Sequence, residues 1–235
     1  DVVGDINFTG TLYQNGFLYE NNINMFVETP SSTFGVYPLV AMTSSSSGPH
    51  IASASSTSPS DWQAWKAFNK VIADEGWHTV VAYSSSTSKY SGLTQTTYDG
   101  SSIVSGEWIQ LQFTTGIATN KLEIAPRPNY VNRCVGDGIL LGSNDGSTWM
   151  SIHSFSGQFY TNGIYNSITF TTSLIYTYFR LVVTKLSGTG GDTLNISEIR
   201  YTGVDIESGI YYNSGSVGIG TTSPAYKLDV VGTMN

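Results

Sequence analysis

The chain has 235 residues, room for one large domain or one domain with appendages. Only 11% of them are charged and the formal net charge is −7, which argues against nucleic-acid phosphate or anionic lipid as partner, since both call for a basic face. A single cysteine, Cys134, excludes an intrachain disulfide, and no apolar run reaches the roughly 18 residues of a membrane span.

Residues 1–35 scatter Ile6, Phe8, Leu12, Tyr13, Phe17, Leu18 and Tyr19 among glycine and asparagine, too thinly to build a core alone. Asp61 to Asn69 has room for two helical turns at most, and helical periodicity is otherwise nearly absent. A Ser/Thr-rich stretch then runs from Tyr83 to Gly106. From Glu107 to Phe113 the pattern alternates strictly, Ile109, Leu111 and Phe113 against Trp108, Gln110 and Gln112, which predicts a half-buried strand. Ile139 to Leu141 and Phe179 to Val183 are apolar runs of strand length, and Asn144-Asp145-Gly146 predicts a tight turn, because Asp-Gly tolerates positive φ. Short strands separated by Gly, Ser, Thr and Asn read as an all-β sandwich or jelly roll. All five tryptophans (Trp62, Trp65, Trp77, Trp108 and Trp149) lie in this middle region, so the core belongs there.

Five segments recur in one order: Ala64-Trp65-Lys66-Ala67-Phe68-Asn69; Gly76-Trp77-His78; Gly106 to Phe113; Gly142 to Trp149; and Tyr178 to Val183 running on to Ile196-Ser197-Glu198-Ile199. Their order and spacing resembles the discoidin family (factor V/VIII type C), over roughly Tyr37 to Gly203. The resemblance implies a discoidin-like jelly-roll β-sandwich of the kind shared with many carbohydrate-binding modules, and a binding module in place of an enzyme. The residues agree on the second point. His50, His78 and His153 are scattered and no nucleophile elbow or paired-histidine metal motif is present. Secreted members of the family often carry a disulfide that this chain lacks, and Cys134 is expected to be a buried small hydrophobe.

Sugar recognition needs polar forks for hydroxyls and aromatic faces for C–H groups. Arg127 and Arg133 flank Pro128-Asn129-Tyr130-Val131-Asn132 after a strand at Leu122-Glu123-Ile124. In related modules an arginine pair in this loop, with a histidine after an early strand, grips the sugar; His78 matches that histidine. The candidate carbohydrate-binding set is Arg127, Arg133, His78, Asn132 and Trp62, with Tyr90 or Tyr98 as additions to the rim. The competing readings are that Arg127 pairs with Glu123 or Asp137, that His78 caps a strand, and that Trp62 lies along a short helical turn. Trp65 matches a core position of the family. The resemblance also implies a structural Ca²⁺, for which Asn69 (where the family has Asp), Asp74 and Glu198 are the candidate ligands.

Residues 1–7 and 229–235 agree at five of seven positions, Asp-Val-Val-Gly in both. The segment Val217 to Gly232 resembles one found in viral and phage tail fibres. This predicts fibre or stalk segments at 1–35 and 205–235 around a jelly-roll domain at 36–204. Val217, Ile219, Leu228, Val230 and Val231 would be buried between copies, commonly in a trimer, unless both ends fold back on the jelly roll. The expected protein is a non-catalytic, glycan-binding part of a viral fibre, spike or capsid surface. It would sit on the virion or outside the cell, with host glycans and other virion proteins as partners. A ligand-free structural component and a targeting module of a glycan-degrading enzyme are the alternatives.

Overall fold

The computed structural model describes residues 12–14, 17–19, 34–58, 61–171, 174–205, 210–213, 216–219 and 225–230. In chain order the strands are β1 (Leu12–Gln14), β2 (Phe17–Tyr19), β3 (Phe34–Tyr37), β4 (Ser46–Ser47), β5 (His50–Ala54) and β6 (Trp77–His78). They continue as β7 (Gln95–Tyr98), β8 (Ser102–Ser105), β9 (Glu107–Pro126), β10 (Val135–Ser143), β11 (Met150–Phe155), β12 (Asn166–Thr169), β13 (Tyr176–Leu186) and β14 (Asn195–Asp205). Last come β15 (Ile210–Asn213), β16 (Ser216–Ile219) and β17 (Leu228–Val230). The chain divides into two compact units, one of residues 33–206 and one of 1–32 with 207–235.

The larger unit is an all-β jelly-roll sandwich, as the alternating patterns predict. Its organising element is β9. The first half of β9 pairs with β13 on one side and with β5 on the other. The second half pairs with β14 and β12. One strand of 20 residues thus changes partners midway and belongs to both layers. Between the layers lie Ile109, Leu111 and Phe113 from the first half of β9, Leu122 and Ile124 from the second, Phe179 and Leu181 from β13, and Ile199 and Tyr201 from β14, all buried. Phe113 meets the edges or faces of Phe179 at 5.7 Å and Tyr201 at 6.3 Å, so aromatic packing ties the layers together.

The other face of β9 is covered as well. Ile139, Leu141, Trp149 and Val182 form a second apolar cluster, against which Trp108, Tyr178 and, from the β7–β8 hairpin, Tyr98 and Val104 pack. Arg180 lies 4.0 Å from both the Trp108 and the Trp149 ring and donates to Gln110 Oε1. The Ser/Thr-rich stretch is therefore a lid on one sheet, which the alternating pattern alone did not require.

Two local expectations are met and two are refined. The helical stretch is a 3-10 helix at Ala64–Phe68, and the Asp-Gly turn forms with Gly146 at φ +72. There Asp145 accepts the N–H groups of Ser147 and Thr148, which hold its carboxyl well below the usual carboxylate range. Trp65 is only half-buried, its Nε1 donating to Gln63; the tryptophan sealed in the core is Trp77. Cys134 is buried, and burial pushes its thiol up to about 12, as befits a small hydrophobe.

Gly76 delivers Trp77 into that core at φ +128, and a Cβ there would run into the Ile196 carbonyl. Positive φ and backbone collision act together, so Gly76→Ala should cost about 3 kcal/mol of stability by denaturant unfolding. A loss under about 1 kcal/mol would mean that β6 and β14 part easily.

In the smaller unit β1 and β2 form an antiparallel pair. β15 pairs antiparallel with β16, and β16 pairs in parallel with β17, Val217 opposite Leu228. The repeated heptapeptide lies outside the described residues, apart from Asp229 and Val230.

Candidate functional site

Where β9 ends and β14 begins, four of the five candidate sugar-binding residues converge. The Trp62 ring lies 5.0 Å from that of His78, tilted by 44°. The Arg127 guanidinium is 4.4 Å from the Trp62 ring and 4.3 Å from the Tyr130 ring. Tyr130 in turn is 5.3 Å from the Arg133 guanidinium. The result is a ladder that opens with two neighbouring rings, His78 and Trp62, and then alternates cation and ring: Arg127, Tyr130, Arg133. Each cation–ring contact at such a partly exposed place contributes roughly 0.5–2 kcal/mol, so the row is held in register by its own rungs.

The rungs are anchored from behind. Arg127 Nε donates to Asp74 Oδ1 at 2.6 Å, and Nη1 donates to Asn195 Oδ1 at 3.3 Å. Asn195 is fully buried and its amide donates to Thr193, whose hydroxyl also accepts from Arg133 Nη1 at 3.2 Å. Asn195 stands opposite His78 in the β14–β6 pair. Arg127 therefore pairs with neither Glu123 nor Asp137. Glu123 is held by Arg200 and Lys121, and Asp137 accepts the N–H of Gly157.

His78 Nε2 is shut off from solvent and makes no hydrogen bond among the described residues. Burial depresses the ring's pKa, Asn195 opposes this, and Arg127 and Arg133 add to it, so the imidazole is held below its ordinary range. A neutral ring keeps one nitrogen as an acceptor.

Asn132 stands apart from the ladder. Its Nδ2 donates to Thr189 O at 2.9 Å and its carbonyl accepts from Gly188, so it straps the 188–190 loop beside the arginines. Tyr90 and Tyr98 do not join the rim. The Tyr90 hydroxyl goes to Glu107, and Tyr98 packs in the second apolar cluster. Tyr130, Asn195 and Thr193 join the site without having been among the candidates the sequence offered. Tyr130, midway between two arginines three residues to either side, had a signal; Asn195 and Thr193 had none.

The candidate calcium ligands are arranged differently. Asp74 faces Arg127. Asn69 Oδ1 accepts from Val71 N at 2.9 Å and its Nδ2 donates to Glu75 at 3.0 Å. Buried Glu198 accepts the Lys70 N–H at 3.1 Å, and the N–H groups of Asn69 and Val71 also face it. Ca²⁺ takes oxygen ligands, whereas the groups turned toward this carboxylate are N–H donors, so the set as arranged does not fit the ion. Burial pushes the Glu198 carboxyl up to about 9, with the backbone N–H groups opposing. A raised carboxyl pKa gives stability that is complete below the ordinary value of 4.5 and declines as pH rises toward about 9. We expect that decline in melting temperature, its removal in Glu198→Gln, and no effect of chelator. A bound calcium ion would reverse the slope, because it holds the carboxylate ionised, and chelation would then lower the melting temperature.

No protein-family model matches the sequence, and no curated protein matches it. Among solved structures, the chain is similar to a family 32 carbohydrate-binding module from Clostridium perfringens in complex with galactose, at 16% identity and TM-score 0.47, over 66% of this chain and 93% of that one. It is similar to another Clostridium perfringens module, solved with GalNAc-β-1,3-galactose, at 20% identity and TM-score 0.46, over 65% of this chain and 94% of that one. A fucolectin from striped bass serum (Morone saxatilis) matches at 14% identity and TM-score 0.47, over 69% of this chain and 48% of that one. At such identities the likeness is one of fold.

Proposed function

We propose that the chain binds a carbohydrate at the ladder, as the non-catalytic attachment module of a viral fibre, spike or capsid surface protein that engages host-surface glycans. The observation that carries the sugar reading is the ladder itself. Sugars ask for aromatic surface beside fixed donors and acceptors, and here Tyr130 stays 36% exposed beside two guanidinium groups. Arg127 has five N–H donors, of which Asp74 and Asn195 take two, leaving three for hydroxyls.

The fibre reading draws on the Asp-Val-Val-Gly repeat at both ends and on apolar groups left uncovered in the smaller unit. Leu228 is 60% and Val230 42% exposed on a strand already paired with β16. Copies of the chain would cover them, as a homotrimer in our reading. A glycan array probed with the whole chain, at a known oligomeric state, tests both parts. Binding to a defined set of sugars by an oligomer is the expected result. An oligomer that binds nothing on a broad array would leave a structural spacer, and a monomer at high concentration would remove the fibre reading.

A further inference from the structure

A separate cleft of about 300 Å³ lies on the flank of the sandwich, lined by Lys89, Tyr90, Ser105, Asp137, Thr184 and Lys185. Its walls are paired backbone. Lys89 and Lys185 face each other across an antiparallel bridge, Tyr90 N donates to Thr184 O at 2.9 Å, and Leu186 N donates to Ser88 O at 2.8 Å. The Tyr90 hydroxyl is pinned to Glu107 Oε1 at 3.1 Å, which fixes its ring as one wall.

The two lysines are unusual in this acidic chain. Lys66 pairs with Asp61, Lys121 pairs with Glu123, and the Lys70 ammonium donates to the Leu39 carbonyl. Among the described residues the ammonium groups of Lys89 and Lys185 make neither an ion pair nor a hydrogen bond. Asp137 lines the same cleft but pairs with neither, its Oδ1 accepting the Gly157 N–H at 2.8 Å. Lys185 stands between Lys89, its partner across the bridge, and Asp137, its partner in the β10–β13 pair, so a like charge on one side is offset by an opposite charge on the other, and the Lys89 side of the row is where an added anion gains most. The Thr184 hydroxyl already donates to the Asp137 carbonyl and so offers a ligand only an acceptor, Ser105 Oγ accepts from Gln95 Nε2 and keeps its own O–H to donate, and the Asp137 carboxylate can accept from a ligand hydroxyl.

We propose that this cleft is an acidic-saccharide subsite: it takes a sugar carrying a carboxylate or a sulfate ester, with the anion between Lys89 and Lys185 and the ring against Tyr90. The sugar scaffold rests on the glycan reading above; the cleft shares no residue with the ladder. The test measures binding of the whole chain to a sialylated and a 6-sulfated galactoside and to their neutral parent. It uses wild type, Lys89→Gln/Lys185→Gln, and Arg127→Ala. Wild type should prefer one or both acidic forms by about tenfold, the preference should shrink with added salt, and it should vanish in the double lysine variant but persist in Arg127→Ala. Preference for the carboxylate or for the sulfate ester identifies the source of the charge. Equal binding of acidic and neutral forms, an unchanged preference in the lysine variant, or loss of the preference in Arg127→Ala alone would each overturn the proposal. Inorganic sulfate that competes as well as the sulfated sugar would reduce the cleft to a simple anion site and overturn the saccharide assignment. Neutral-sugar binding lost in Arg127→Ala with no acidic preference would sink this subsite and leave the ladder standing. An acidic preference with no neutral binding would do the opposite.

Discussion

Arg127→Ala should reduce glycan binding by about 10- to 150-fold, enough to take a single weak site below detection. The effect is large because the guanidinium is the middle rung. It stacks against Trp62 and Tyr130 at once and ties both to Asp74 and Asn195. Without it two rings lose their common partner and the buried Asn195 loses a donor. Arg127→Lys should fail nearly as badly, since an ammonium keeps the charge but not the plane or the fork. Arg133→Ala should cost less, because Arg133 caps one end of the row and touches a single ring. Titration calorimetry with a sugar first found on an array measures each variant, and thermal melting checks that it is folded. If Arg127→Ala binds as wild type does, the ladder is a packing device and the sugar site is elsewhere. An oligomer would mask part of the loss by avidity, so the comparison belongs on a monovalent ligand in solution.

Glu107→Ala is expected to be the most destabilising change at a charged residue, at about 4 kcal/mol. The carboxylate is buried and accepts from four hydroxyls: Ser55 at 2.5 Å, Ser56 at 2.6 Å, Tyr90 at 3.1 Å and Thr94 at 3.4 Å. Those hydroxyls belong to two separate loops, so one side chain joins the 55–56 segment to the 90–94 segment at the start of β9. Alanine would strand the donors in a dry cavity. Gln should cost about half as much, because hydroxyls can rotate to accept from its amide. Denaturant midpoints at constant m-value give the comparison. A loss below about 1 kcal/mol for alanine would mean that water replaces the carboxylate and that the site is not dry.

What could be read without coordinates was local. Alternation placed Ile109, Leu111 and Phe113 on the buried face because side chains on a strand point to opposite sides in turn. Asp-Gly placed a turn before Trp149 because few residue pairs accept positive φ. The ordered segments implied a jelly roll, and the residues nominated for sugar binding around the arginine loop do meet, Asn132 excepted.

The partners were another matter. Nothing near Arg127 in sequence distinguishes Asp74 from Glu123 or Asp137, and the choice followed from how β9, having changed layers, aligns with β14. Packing likewise put Trp77 in the core ahead of Trp65, and turned the Tyr83 to Gly106 stretch into a lid with its own apolar cluster. It also aimed N–H groups at Glu198. Amino-acid sequence by itself determined which face of the first half of β9 would be buried and where the Asp-Gly turn would fall, since both depend on neighbours within a few positions. Only the tertiary structure decided which charge meets which, because hydrogen-bond and ion-pair choice is a matter of ångströms set by strand register between segments up to 128 residues apart.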